Sequence, residues 1–145
     1  MRNSKSEMIG ILFCNNDPVS IQIANTLIYG FKRLGFDVTS STKVKDIINL
    51  KPKFIISTSI NKPKCFAAFC YLFATFKPED LLSNNRLIRN VLTYDAYISC
   101  SNDVSKVIKD LSFGLQKPKP LVIETHPLTP GFLYKSKDSN ESTLF

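Results

Sequence analysis

The sequence has a single histidine, and no glycine occurs in its first strand-to-helix turn. That turn reads Cys-Asn-Asn-Asp-Pro at residues 14–18. Dinucleotide-binding folds and Walker-type loops need glycines at this point so that the backbone can approach a pyrophosphate. The sequence therefore disfavours an NAD-dependent enzyme and a P-loop enzyme, and we expect no cofactor.

The four cysteines lack the spacing of a metal site or of a redox motif. Cys14, Cys65, Cys70 and Cys100 contain no C-x-x-C pair and have no histidine nearby, which is typical of small buried hydrophobic residues in a reducing compartment. The longest apolar run covers residues 65–76, whereas a bilayer span needs about 20 residues. We therefore predict a cytoplasmic protein without a metal.

The chain carries a formal charge of +7, from 19 basic and 12 acidic residues. This balance favours an anionic partner such as a phosphorylated substrate or a membrane surface contacted peripherally. The lysines are scattered beside prolines, and no arginine and lysine stripe with interleaved aromatics is present. Nucleic acid is therefore the disfavoured partner.

Alternating strand and helix patterns predict the fold class. Short apolar runs predict five strands, at residues 8–14, 36–39, 53–59, 96–100 and 121–124. Such alternation is typical of an α/β protein, specifically a three-layer Rossmann-like domain with a mainly parallel sheet of about five strands. We expect this domain to cover residues 1–134 and to be followed by a disordered polar tail at 135–145.

Helices are predicted from caps and from apolar spacing. Asp17 and Pro18 suit the start of the first helix, and Gly35 suits its left-handed end. The remaining helices are expected at residues 43–50 (capped by Ser41 or Thr42), 61–76, 78–92 and, capped by Ser101 or Asn102, up to Gly114. The helix at 61–76 would have no polar face, so it would lie in the core or face a partner.

Polar residues follow the predicted strands, and parallel strands place their carboxyl ends at one edge of the sheet. The predicted binding residues at this edge are Asn15, Asn16, Asp17, Ser57, Thr58, Ser59, Ser101 and Asn102. A hydroxyl- and amide-rich edge suits a polyol or a nucleotide. For Asp17 alone, helix capping is the stronger interpretation.

His126 is the candidate catalytic residue because an imidazole at this edge can accept a hydroxyl proton. The competing interpretation is a loop histidine that is hydrogen-bonded to the backbone. Tyr94 and Asp95 precede a strand, so we expect them to have a structural role away from the edge.

The order of these segments resembles the amino-terminal half of a GT-B glycosyltransferase. The resemblance rests on IGILFCNNDPVSIQIANTLIYGFKRLGFDV, KPKFIISTS, LTYDAYISCSNDVSKVIKDL and VIETHPLTPGFLY, which together cover most of residues 8–134. In this family the amino-terminal half mostly binds the acceptor, and the other half binds the nucleotide-sugar. The resemblance implies an acceptor-binding domain that is inactive alone, with a glycan or lipid-linked acceptor and a donor-domain protein as partners.

By the same resemblance, residues 15–17 would lie beside the acceptor and residues 57–59 would line the floor of the cleft. Ser101, Asn102 and His126 would face the opposite half, which binds the nucleotide-sugar in this family. Two alternatives stay open. One is a stand-alone Rossmann-like module for a nucleotide or small polar ligand, and the other is an interaction protein that uses the apolar segment 65–76.

Overall fold

The computed structural model describes residues 7–124, in which one six-stranded sheet has helices on both faces. The strands are β1 (Met8–Leu12), β2 (Asp37–Ser41), β3 (Phe54–Ser57), β4 (Cys70–Ala74), β5 (Ala96–Ser99) and β6 (Leu121–Glu124). The helices are α1 (Pro18–Arg33), α2 (Val44–Ile48), α3 (Pro78–Leu82), α4 (Asn85–Val91) and α5 (Asn102–Gly114). The predicted α/β class and three-layer Rossmann-like architecture are confirmed.

Every strand pair in this sheet is parallel, and the strand order is β2-β1-β3-β4-β5-β6. This is the flavodoxin-like order of doubly wound folds with one strand added at the edge. The chain leaves β1 towards β2 on one side and returns to β3 on the other. The junction of β1 and β3 is therefore the topological switch point, where open α/β sheets bind ligands.

The two long helices begin and end where the sequence predicts. Asp17 is the N-cap of α1 and Pro18 its first residue, while Gly35 follows the helix with φ of 94°. Only glycine adopts such an angle without a steric penalty, which explains the stop. Ser101 caps α5 through hydrogen bonds from the Asp103 and Val104 amides.

Two hydrophobic cores lie on opposite faces of the sheet. On one face, α1 packs Ala24 and Leu27 against Ile9, Ile11 and neighbouring strand residues. On the other face, the apolar side chains of α2 to α5 pack on the remaining strand residues. Central strands buried on both faces read as continuous apolar runs, which is why β1 and β3 are recognisable in the sequence.

The predicted helix at residues 61–76 is wrong, because its second half forms β4 in the middle of the sheet. Leu72 packs into one core and Phe73, which is 1% exposed, into the other. A segment buried on both faces has no polar positions, so its hydrophobic pattern does not separate strand from helix. The hypothesis of an apolar helix that seeks a partner is therefore wrong.

Two further helix predictions need correction. Ser41 and Thr42 do not cap α2, because Lys43 holds the N-cap position without a side-chain bond. Residues 78–92 form two short helices rather than one, since Asn84 interrupts the run and caps α4 through bonds from the Arg86 and Leu87 amides.

Gly10 lets α2 pack directly on β1. A Cβ atom built at Gly10 would lie 2.5 Å from Cγ2 of Ile47 and 3.4 Å from Cγ of Pro52. Ile47 is 1% exposed in the core of that face, so it has little freedom to move. The absence of a side chain at residue 10 therefore allows α2 to lie close to the middle of β1.

Predictions for His126 and for the tail at 135–145 lie outside the described residues. Within residues 7–124, no helix is both long enough and apolar enough to cross a membrane.

Candidate functional site

A cavity of about 120 Å³ lies at the carboxyl ends of β1 and β3, at the topological switch point. Its lining comes from three parts of the chain, namely the end of β1, the β2–α2 junction and the β3–β4 crossover, together with Tyr94. The lining residues are Leu12, Phe13, Cys14, Thr42, Val44, Ser57, Ser59, Lys62, Pro63, Cys65, Phe66 and Tyr94. The position is the one that the fold class predicts for a ligand.

Asp17 ties the β1–α1 turn to the β3–β4 crossover. Its Oδ1 atom accepts hydrogen bonds from the Val19 and Ser20 amides, at 3.1 and 3.2 Å. Its Oδ2 atom accepts from Asn61 Nδ2 at 2.9 Å and from Ser59 Oγ at 3.3 Å. Both carboxylate oxygens are thus occupied by the protein, and Asp17 does not line the cavity.

A pair of buried hydroxyls, from Ser20 of α1 and Thr58 just after β3, also connects these two parts of the chain. Thr58 Oγ1 donates to the Ser20 carbonyl at 2.9 Å, and the two side-chain oxygens are 2.8 Å apart. Because the Thr58 proton is already used, the Ser20 hydroxyl donates to Thr58. Ser20 Oγ also accepts from the Cys14 amide at 3.0 Å. The end of β1, the start of α1 and the end of β3 therefore hold one another in place.

Tyr94 lines the cavity, and its hydroxyl is hydrogen-bonded to two other lining residues. Its hydroxyl donates to the Lys62 carbonyl at 3.0 Å and lies 3.2 Å from Ser57 Oγ, so the Ser57 hydroxyl acts as donor to Tyr94. Burial raises the pKa of Tyr94 to about 12, which keeps the phenol protonated at neutral pH. The expectation that Tyr94 lies away from this edge is wrong, because its side chain reaches from the start of β5 to the end of β3.

Asp95 does have the structural role predicted for it. Its Oδ2 atom accepts from the Cys70 amide at 2.8 Å and lies 2.7 Å from Lys64 Nζ. The Lys64 amide donates to Thr93 Oγ1 at 2.7 Å. These contacts attach the helix-free crossover between β3 and β4 to the turn before β5. The cavity wall that the crossover forms is therefore anchored along its length.

The structure places the binding residues predicted at the ends of the first and third strands at the same edge of the sheet. Asn15 and Asn16 are the exposed central residues of a turn closed by the Asp17 amide and the Cys14 carbonyl, 3.2 Å apart. Of the predicted residues, Ser57 and Ser59 line the cavity. Thr58 is 2% exposed and serves the hydroxyl pair instead.

Ser101 and Asn102 lie at the same edge of the sheet but not at the cavity. They follow β5, which is two strands from β3 and hence about 10 Å away across the sheet. Ser101 is engaged as the N-cap of α5, and Asn102 is the first residue of that helix. Their predicted role in binding stays untested.

The sequence offered little sign of the other lining residues. The predicted helix at residues 61–76 includes Pro63, Cys65 and Phe66. For Thr42 the sequence suggests only a helix cap. A helix-free crossover of residues 58–69 has no periodic pattern, and its position depends on distant partners such as Tyr94 and Asp95. Lys62 is one of several lysines beside prolines, and nothing in the sequence distinguishes it from the others.

The cavity offers side chains that can contact a polar ligand. Its lining supplies three aromatic rings, several hydroxyls and one ammonium group. No histidine, aspartate or glutamate is among the lining residues, all of which fall within the described chain. General acid or base catalysis most often uses one of these groups, although lysine, tyrosine and cysteine, present in the lining as Lys62, Tyr94 and Cys65, can also transfer protons. Within residues 7–124 there is also no cluster of side chains that could hold a metal ion.

Comparison with known protein families, with curated proteins and with solved structures finds no match. The resemblance to GT-B glycosyltransferases therefore stays a prediction.

Proposed function

We propose that the chain is the acceptor-binding domain of a GT-B-like glycosyltransferase, and that it binds a sugar of its acceptor in the switch-point cavity. The observation that carries the proposal is the position of a cavity lined by aromatic rings and hydroxyls at the β1–β3 junction. Aromatic faces cover the apolar faces of a sugar ring, while hydroxyls hydrogen-bond its edge. Aromatic rings and hydroxyls are both among the groups that line this cavity.

The size of the cavity supports an acceptor rather than a nucleotide-sugar. Pockets that enclose whole drug-sized ligands are roughly 300–1,000 Å³. A cavity of about 120 Å³ accommodates one group of a larger molecule, with the remainder outside. This fits a glycan or lipid-linked acceptor whose end is bound while the rest extends into solvent.

The alternative, a stand-alone nucleotide-binding module, is opposed by the state of the helix N-termini. Doubly wound folds bind phosphates through free amides at the start of a helix. In α1 the Val19 and Ser20 amides already bond to Asp17, whose negative charge would also repel a phosphate. In α5 the equivalent amides bond to Ser101, and Asp103 lies in the first turn.

Protein-observed NMR of the full chain tests the proposal. We expect neutral and acidic oligosaccharides to shift the amide signals of Phe13, Thr42 and Ser59, whereas nucleotides and nucleotide-sugars leave them unchanged. Nucleotides that instead shift the amides of Val19 and Ser20 would favour the stand-alone module and contradict the proposal.

Catalysis is proposed to need a second protein domain that binds the donor. The isolated chain mixed with nucleotide-sugars and glycans should release no nucleotide, because the donor is proposed to bind to that second domain and the described cavity lining contains no histidine, aspartate or glutamate. Purification from native extract should recover a donor-domain protein with it. Glycosyl transfer by the purified chain alone would contradict this part of the proposal.

A further inference from the structure

Lys62 is the one charged residue among those that line the cavity in the described chain. It is exposed, and its ammonium group makes no hydrogen bond or ion pair within residues 7–124. No carboxylate lines the cavity to balance this charge. The wall therefore presents a positive charge to whatever enters.

The neighbouring lysine shows how different the state of Lys62 is. The Lys64 side chain is 9% exposed, and its Nζ atom lies 2.7 Å from Asp95 Oδ2 and 5.4 Å from the ring centroid of Phe66. Its charge is neutralised inside the protein and contributes to folding. The charge of Lys62, two residues earlier, has no such internal partner.

The backbone at Lys62 is nevertheless held firmly. Its carbonyl accepts the hydrogen bond from Tyr94, which is 7% exposed, and the next residue is Pro63, whose ring fixes its own φ angle. The start of the side chain is thus fixed at the cavity wall while the ammonium group stays accessible. A cation on a fixed support suits recognition of an anionic group.

Building on the proposed function, we infer that the acceptor carries an anionic substituent, a carboxylate or a phosphate, that pairs with Lys62 while its sugar ring occupies the cavity. The pairing selects acidic acceptors over neutral ones. The excess of basic residues, which gives the chain a formal charge of +7, adds a long-range attraction of the same sign.

The test compares two variants that lose the same charge. Lys62→Gln removes the cation at the cavity, and Lys109→Gln removes one from an exposed position on α5 outside it. The ligands are glucose, galactose and mannose, each with its uronate and its 6-phosphate, and inorganic phosphate alone. Dissociation constants come from the amide shifts of cavity residues in the full chain.

For the unmodified chain and for Lys109→Gln, we expect the acidic sugar to bind about two- to fivefold more tightly than its neutral parent, the range of a solvent-exposed ion pair. In Lys62→Gln this preference should be largely lost, leaving only the weak long-range attraction of the remaining basic residues. Added salt should reduce the preference of the unmodified chain, because exposed charges are screened. The uronate and phosphate series distinguish a carboxylate from a phosphate as the preferred group.

Neutral sugars that bind as tightly as acidic ones would overturn the inference and leave the proposed function intact. A preference as large in Lys62→Gln as in Lys109→Gln would overturn it as well. Inorganic phosphate that matches the sugar phosphates in affinity would show that the ring contributes nothing, which also contradicts it. If no sugar shifts the cavity signals, the proposed function itself fails.

Discussion

Replacing Asp17 with alanine should destabilise the fold by about 2 kcal/mol. Loss of an N-cap side chain costs about 1 kcal/mol, within a range of 0.5–2. Ser59, which is 4% exposed, would also lose the acceptor of its hydroxyl, and a buried polar group left unpaired costs about 1–3 kcal/mol. The bond from exposed Asn61 adds little, because water replaces it. The lower end of these ranges applies, since Ser59 still accepts from the Asn61 amide.

Urea denaturation followed by far-UV circular dichroism measures this loss as a lower midpoint with an unchanged slope. Asp17→Asn should retain most of the stability, since asparagine is an equally good N-cap. The matched control is Asp37→Ala at the exposed start of β2, which should change the free energy of unfolding by no more than about 0.5 kcal/mol. An Asp17→Ala variant with normal stability but no glycan binding would refute the structural role and make Asp17 a ligand contact.

Five further substitutions give three predictions for the same denaturation assay. Gly10→Ala should cost about 1–3 kcal/mol by overpacking. Gly30→Ala, in the last turn of α1 and with open space around its Cβ position, should stabilise by about 0.4–1 kcal/mol. Equal effects of the two would contradict the close approach of α2 to β1. Phe73→Ala should lower the free energy of unfolding by about 3–5 kcal/mol, and Phe69→Ala, at a residue 50% exposed, should lower it far less. A small effect at Phe73 would place that residue outside the core. Burial raises the pKa of Tyr94 from 10.0 to about 12, so its stabilising contribution is complete below pH 10 and is lost as pH rises towards 12. Tyr94→Phe should reduce this loss of stability at alkaline pH. An unchanged pH profile would refute the raised pKa of Tyr94.

Local signals in the sequence were sufficient for the elements whose ends depend on neighbouring residues. Asp17, Pro18 and Gly35 act through bonds and angles within a few residues of themselves, so α1 is predictable. The same holds for Ser101 and α5. The location of a ligand site at the carboxyl edge also follows once alternating strands and helices imply a parallel sheet.

The rest depends on contacts between residues far apart in the sequence. The segment 61–76 reads as an apolar helix, yet β4 within it is extended because it lies between β3 and β5. The crossover before β4 is positioned by bonds to Tyr94, Thr93 and Asp95, about 30 residues later in the chain. No pattern within the segment reveals those partners. The cavity lining was therefore predicted at Ser57 and Ser59 but missed at Lys62 and Phe66.

Thiol footprinting tests most directly whether a sugar occupies the cavity. Cys65 is an exposed lining residue, whereas Cys70 is buried, and burial raises the pKa of its thiol to about 12, so it should react slowly. Cys100 does not line the cavity and serves as the internal reference. The rate of alkylation by iodoacetamide at each cysteine is read by mass spectrometry, with and without a glycan at a concentration that saturates its NMR shifts. We expect the glycan to slow alkylation of Cys65 and to leave that of Cys100 unchanged. An unchanged rate at Cys65 with the glycan bound would contradict this expectation.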